Sequence, residues 1–166
     1  DGTVIPEHFS GKMRSSVILM GAMLGRNGKA QTGYPGGCVI GKRPVDLHIQ
    51  VLQKLGARIV ENGSEIQAAC GKLKGAEIIF PKSSVGATEQ GILAAVLAEG
   101  KTVLSGCARE PEINWLCQYL TGMGARIEIL KNGRICIEGV KKLHPGNMTI
   151  PPDRIVAGTY LMAAAA

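Results

Sequence analysis

Aromatic side chains are scarce in this chain of 166 residues: Phe9, Tyr34, Phe80, Trp115, Tyr119 and Tyr160 are the whole set. Binders of single-stranded nucleic acid stack bases on several clustered rings, so that class is disfavoured even though the net charge is +6. Long basic runs are missing too. None exceeds two residues, as at Lys42-Arg43 and Lys141-Lys142, and no nucleic-acid partner is expected. There is no C-x-x-C pair, and the five cysteines (Cys38, Cys70, Cys107, Cys117, Cys136) are odd in number. That speaks against a zinc ribbon or a full disulfide framework and for reduced thiols in a cytoplasmic setting. The longest apolar run, residues 17–25, is far short of the roughly 20 residues that span a bilayer, so no membrane partner is expected. Phosphate-cradling, dinucleotide and metalloprotease motifs are all absent, as is any carboxylate cluster, which predicts neither cofactor nor metal.

What is abundant is glycine, 23 residues, and much of it punctuates an internal repeat. Leu52-Gln53-Lys54-Leu55-Gly56-Ala57-Arg58-Ile59 recurs 68 residues later as Leu120-Thr121-Gly122-Met123-Gly124-Ala125-Arg126-Ile127. Before each copy lies a helical pattern (Asp46, Ile49, Leu52, Leu55; Asn114, Cys117, Leu120, Met123), read as capped by Asp46 or Asn114 and closed by Gly56 or Gly124. After each come two alternating strands joined by Asn-Gly, at Asn62-Gly63 and Asn132-Gly133, a strong hairpin signal. A further strand ending in proline follows, over residues 76–80 and 148–150, and then a second helix. Lys82-Ser83-Ser84-Val85 opens one such helix, and Arg14-Ser15-Ser16-Val17 opens another 68 residues earlier. The pattern predicts an α/β fold of repeated units with a period of about 70. The uniformly small and apolar stretch 91–98 suggests helices packed centrally with sheets outside. The chain starts without Met and ends in an uncapped apolar helical pattern, so it is expected to be a piece of a longer protein.

The copies differ most after Gly28-Lys29. The interval from there to Asp46 is four residues longer than its counterpart from Gly100-Lys101 to Asn114, and the extra length is assigned to residues 31–44. Four glycines and two prolines there surround one thiol, Cys38, and two cations, Lys42 and Arg43. Neighbouring cations favour thiolate and attract carboxylate or phosphate, so Cys38 is a candidate chemical residue.

The run from Pro35 to His48 (Pro-Gly-Gly-Cys-Val-Ile-Gly-Lys-Arg-Pro-Val-Asp-Leu-His) resembles the catalytic loop of the UDP-N-acetylglucosamine enolpyruvyl transferases. The likeness continues through Leu55-Gly56-Ala57, Leu73-Lys74-Gly75-Ala76, Ser84-Val85-Gly86-Ala87-Thr88, Ala108-Arg109-Glu110-Pro111-Glu112-Ile113 and Pro152-Asp153-Arg154-Ile155. It implies transfer of the enolpyruvyl group of phosphoenolpyruvate to the 3-hydroxyl of UDP-N-acetylglucosamine with release of phosphate, the first committed step of peptidoglycan synthesis. It also implies two inside-out α/β barrels of βαβαββ units. Residues 1–150 would form the loop-bearing domain, with two full repeats and part of a third, and 151–166 the start of the second domain. By this resemblance Cys38 is the general acid and the covalent target of fosfomycin, Arg43 contacts phosphoenolpyruvate, and Arg14 lies near both substrates. The segments Arg43-Pro44-Val45-Asp46-Leu47 and Lys82-Ser83-Ser84-Val85 hold the UDP-sugar. Ser83 departs from the apolar residue usual in the family. His48 is expected near the site but outside the catalytic set. The family's general-base aspartate, its N-terminal lysine and most of the second domain are not matched, so the chain alone is expected not to turn over. The shikimate-pathway relatives share the fold but lack a Pro-Gly-Gly-Cys loop. An alternative of another class is a non-catalytic anion-binding module with a redox-sensing thiol.

Overall fold

The computed structural model describes residues 2–37 and 44–166. Within them the sequence repeat becomes two copies of one unit. The first contains β1 (Val4–Ile5), the short helix α1 (Glu7–Ser10), α2 (Ser15–Asn27), β2 (Lys29–Gly33), α3 (Asp46–Lys54), β3 (Arg58–Asn62) and β4 (Glu65–Ala69). The second contains β5 (Glu77–Ile79), α4 (Val85–Ala95), β6 (Lys101–Ser105), α5 (Pro111–Gly122), β7 (Arg126–Ile129) and β8 (Ile135–Glu138), and α6 (Arg154–Ala165) follows. Apart from α1, each unit is βαβαββ. Each makes a four-stranded mixed sheet of identical order, β1-β2-β4-β3 and β5-β6-β8-β7, with the first pair parallel and the others antiparallel. Neither sheet closes on itself.

The repeated Gly-Ala ends α3 and α5 by the same device. Gly56 and Gly124 have φ of +93° and +94°, and the amides of Ala57 and Ala125 donate back to Leu52 and Leu120, both at 2.9 Å, as in a Schellman motif. The two hairpins diverge at their tips. Asn62 pairs with Glu65, so the first loop is Gly63-Ser64, one residue later than Asn62-Gly63. The second spans Lys131-Asn132-Gly133, with Gly133 at φ +80° after a tight turn, its amide bonded to the Leu130 carbonyl at 2.8 Å.

Four other expectations change. Asp46 is not a cap: Val45 occupies that position and Asp46 is the first helical residue, where a carboxylate complements the helix dipole. Asn114 lies inside α5, because Pro111 at the first helical turn starts that helix earlier. Gln31, Thr32 and Gly33 belong to β2, so the extra length of the first unit lies after Gly33. Residues 148–150 form no strand. Strands β1 and β5 each pair with the strand after the next long helix, and no strand follows α6 in this sequence.

Helix α4 is buried along most of its surface, at Ala87, Thr88, Gln90, Gly91, Ile92, Ala94 and Ala95, and only the stripe of Val85, Gly86, Glu89 and Leu93 is half-buried. Its partner α2 comes unusually near: a Cβ at Gly21 would lie 2.5 Å from the Gln90 carbonyl oxygen. Around this pair the core gathers Met20, Leu24, Val51, Leu52, Leu55, Leu104 and Ile113. Helix α6 has no buried residue.

Candidate functional site

The helix starts of α2, α3 and α4 meet at one end of this core and enclose a cleft of about 590 Å³. Arg14 precedes α2, Pro44, Asp46 and Leu47 come from the lead into α3, and Lys82, Ser83, Ser84 and Val85 from the lead into α4. Eight residues picked out by the sequence therefore line one cavity, although up to 71 positions separate them. Ile18, His48, Gly86 and Glu89 complete the wall.

Each helix start is fixed by local chemistry. Arg14 donates from Nη2 to the Pro44 carbonyl at 3.0 Å, across 30 residues of sequence, tying the start of α2 to the segment before α3. Val45 is buried and its carbonyl accepts from the Ile49 amide at 3.0 Å, so it anchors the segment while its neighbours face the cleft. Ser84 caps α4, its hydroxyl accepting from the Ala87 amide at 3.4 Å. Thr88 reinforces the turn by donating to the Ser84 carbonyl at 2.8 Å and accepting from the Ala108 amide at 3.0 Å. The amides of Val85 and Gly86, in the first turn of α4, have no partner within the helix. Together with the dipole they favour an anion. Lys82 is exposed and has no ion-pair partner among the described residues. Cys38, Lys42 and Arg43 lie outside the described residues.

Two titratable groups of the wall are displaced from their ordinary behaviour. Burial lowers the pKa of His48, with Arg14 adding to the effect, while the Gln90 hydrogen bond and Asp46 oppose it. Burial, then the negative charge of Glu112, raises that of Glu89. Sequence reasoning missed Glu89 and Gln90. Their only signal is that they are polar residues beside the apolar stretch of α4. Cys70, Cys107 and Cys117 are poor nucleophile candidates, since burial raises the pKa of each, the last to about 11. Among the described residues no group of three His, Cys, Asp or Glu could hold a metal ion, and no helix is long and apolar enough to cross a membrane.

A family model described as EPSP synthase (3-phosphoshikimate 1-carboxyvinyltransferase) matches residues 2–166. The chain belongs to the EPSP synthase family. Within that family it is 48% identical to the UDP-N-acetylglucosamine 1-carboxyvinyltransferase of Paramagnetospirillum magneticum, over 98% of this chain and 38% of the relative. It is 53% identical to UDP-N-acetylglucosamine 1-carboxyvinyltransferase 2 of Caldanaerobacter subterraneus, over 97% of this chain and 39% of that one. The chain thus spans about two fifths of the length of these relatives. Among solved structures, the enolpyruvyl transferase NikO from Streptomyces tendae superposes with a TM-score of 0.81 at 22% identity, covering 95% of this chain and 38% of that one. An EPSP synthase from Acinetobacter baumannii gives 0.69 at 23% identity, covering 92% and 35%. These two establish the fold of mixed α/β units.

Proposed function

We propose that the chain is the loop-bearing portion of a UDP-N-acetylglucosamine 1-carboxyvinyltransferase, and that the cleft between the starts of α2, α3 and α4 holds the nucleotide sugar. The observation that carries this reading is the gathering of Arg14, Pro44, Asp46, Leu47, Lys82, Ser83, Ser84 and Val85 on one cavity, in a chain about half identical to proteins of that name. A pyrophosphate seated there meets the cations of Arg14 and Lys82 and the open amides of α4. The uracil and ribose take the Pro44–Leu47 side.

In the proposed reaction the Cys38 thiol gives its proton to the methylene carbon of phosphoenolpyruvate. The 3-hydroxyl of the sugar gives its proton to a base and attacks the adjacent carbon, and phosphate leaves as the new methyl group gives up a proton, which restores the enol double bond. Arg43 binds the phosphoenolpyruvate anion. Cations beside Cys38 favour thiolate in the free protein, and the bound anion restores the protonated form that an acid requires. Fosfomycin alkylates the same thiol. The proposed setting is cytoplasmic. Residues 1–150 belong to one inside-out barrel with helices central, and 151–166 lead into a second domain that supplies the base.

Calorimetric titration with UDP-N-acetylglucosamine tests the reading. Saturable binding weakened by Arg43→Ala, together with a fosfomycin adduct mapped to Cys38 by mass spectrometry, is the expected result. A chain that binds no nucleotide sugar but whose Cys38 oxidises readily is the redox module instead. Turnover by the 166-residue chain at the rate of full-length relatives would overturn the expectation of a half-built site.

A further inference from the structure

His48 is the buried imidazole of the cleft wall, only 4% exposed, and the proposed reaction gives it no task. Its Nδ1 lies 3.0 Å from Oε1 of Gln90, a fully buried side chain of α4. The other end of that amide donates from Nε2 to the Val17 carbonyl at 2.7 Å. A carbonyl only accepts, so the Gln90 NH2 must face Val17 and its oxygen must face His48. The oxygen in turn accepts, so the shared proton belongs to Nδ1 of the ring. Nε2 is then the bare nitrogen. It has no hydrogen-bond partner among the described residues, and it sits at the edge of the ring that meets Gly86 in the first turn of α4. A Cβ on Gly86 would come within 3.1 Å of Cε1 and 3.3 Å of Nε2. Both residues line the cleft.

We propose that Gln90 is a positioning residue that holds His48 as its Nδ1–H tautomer, so that Nε2 accepts a hydrogen bond from a hydroxyl or amide N–H of the ligand and stands away from its phosphates. The proposal rests on the reading of the cleft as a nucleotide-sugar site. An ionised phosphate oxygen has no proton to donate, and two lone pairs facing each other repel, whereas a ribose or sugar hydroxyl satisfies Nε2 directly. A neutral acceptor among cations thus adds orientation to what is otherwise an anion trap. The charged and titratable groups that share the cleft wall are Arg14, Asp46, Lys82 and Glu89. Burial keeps the ring neutral at pH 7 by lowering its pKa.

Long-range nitrogen–proton NMR on the 15N-labelled 166-residue chain, with UDP-N-acetylglucosamine and inorganic pyrophosphate as probes, tests this. The ligand-free chain should carry the His48 proton on Nδ1, and saturation with the nucleotide sugar should move the Nε2 resonance. Gln90→Met should weaken the nucleotide sugar about threefold to tenfold, the worth of one hydrogen bond, and leave pyrophosphate affinity unchanged. Gln90→Glu, which keeps an oxygen toward Nδ1, should recover part of the loss. A proton found on Nε2, an Nε2 signal indifferent to saturation, or equal weakening of both probes overturns the proposal. If the methionine variant does not fold, the wild-type tautomer and the Nε2 shift decide. Failure to bind either probe overturns the functional reading and the acceptor role with it, while Nδ1 protonation in the ligand-free chain reports separately on Gln90.

Discussion

The starts of α3 and α4 and the starts of α5 and α6 occupy corresponding places in successive units, yet their electrostatics are opposite. In the first pair Lys82 faces an open cleft beside Arg14. In the second, Arg154 closes on Glu112 with two bonds, Nε to Oε1 at 2.8 Å and Nη2 to Oε2 at 3.1 Å. Glu112 stands 68 residues after Pro44, so the repeat that leaves a neutral proline in one pair puts a carboxylate in the other. The backbone supplies a shelf of helix starts twice. The side chains decide whether the positive charge is left for an external anion or neutralised from within.

The largest effect should therefore come from reversing charge in one pair and not the other. Lys82→Glu replaces a charge-assisted contact by repulsion, and such contacts are worth about 1.5–3 kcal/mol, so nucleotide-sugar affinity should fall by about tenfold to a hundredfold. Arg154→Glu should leave the same titration unchanged. Equal losses would abolish the distinction between the cleft and its closed counterpart. Next in size is the contact of α2 with α4. In Gly21→Ala the new methyl meets the backbone oxygen of Gln90 at 2.5 Å, which cannot swing aside as a side chain can. Overpacking of this kind costs about 1–3 kcal/mol, to be read as a lower urea midpoint. Gly158→Ala, with nothing within 4 Å, should instead favour α6 by about 0.5–1 kcal/mol, seen as slower amide exchange along that helix.

The scaffold was legible because its signals are local and occur twice. Gly56 and Gly124 end helices, Gly63 and Gly133 turn hairpins, and the small Gly91, Ala94 and Ala95 are buried in the core. What the pattern misjudged depended on partners. Residues 148–150 read as a strand but lack a neighbour to pair with, and Asp46 and Asn114 read as caps because their place relative to Val45 and Pro111 emerges only when the helices pack. Arg14, Pro44, Asp46, Leu47 and Lys82 to Val85 were picked out through the likeness of their segments to a known family, whereas Glu89 and Gln90 were not. The role of Gln90 depends on His48 from 42 residues away and on Val17 from 73 away.

Capping gives a smaller contrast. Ser84 accepts one long bond at 3.4 Å, while Asp153 accepts two, from Ile155 at 2.8 Å and Val156 at 3.1 Å. Ser84→Ala should still cost global stability about 1 kcal/mol, because α4 is central to the core. Asp153→Ala should fray α6 and leave the denaturation midpoint in place, because that helix buries nothing. His48 adds a pH dependence to the cleft side alone. Its folded pKa is depressed below the ordinary 6.5, so between those two values the unfolded chain binds more protons and stability rises with pH. The contribution is complete above about 6.5. It is lost as pH falls from there toward the folded value, and His48→Gln should flatten that slope.

The smallest effect belongs to the ion pair itself. Glu112 and Arg154 are 35% and 44% exposed, and exposed pairs give up most of their attraction to water and to side-chain entropy. Neither Glu112→Gln nor Arg154→Gln should move the urea midpoint. The pair should act locally, because it is the one side-chain ion pair joining α6 to the unit before it among the described residues. Opening it should speed proteolysis of residues 145–153, which carry no regular structure. Arg154 holds the Glu112 carboxyl below its usual range, so the restraint persists above that range and is released as pH falls through the lowered value. The exchanged pair Glu112→Arg with Arg154→Glu should restore the slow cleavage that either single reversal loses. Cleavage that is equally fast in the exchanged pair would mean that backbone geometry, not charge, seats α6.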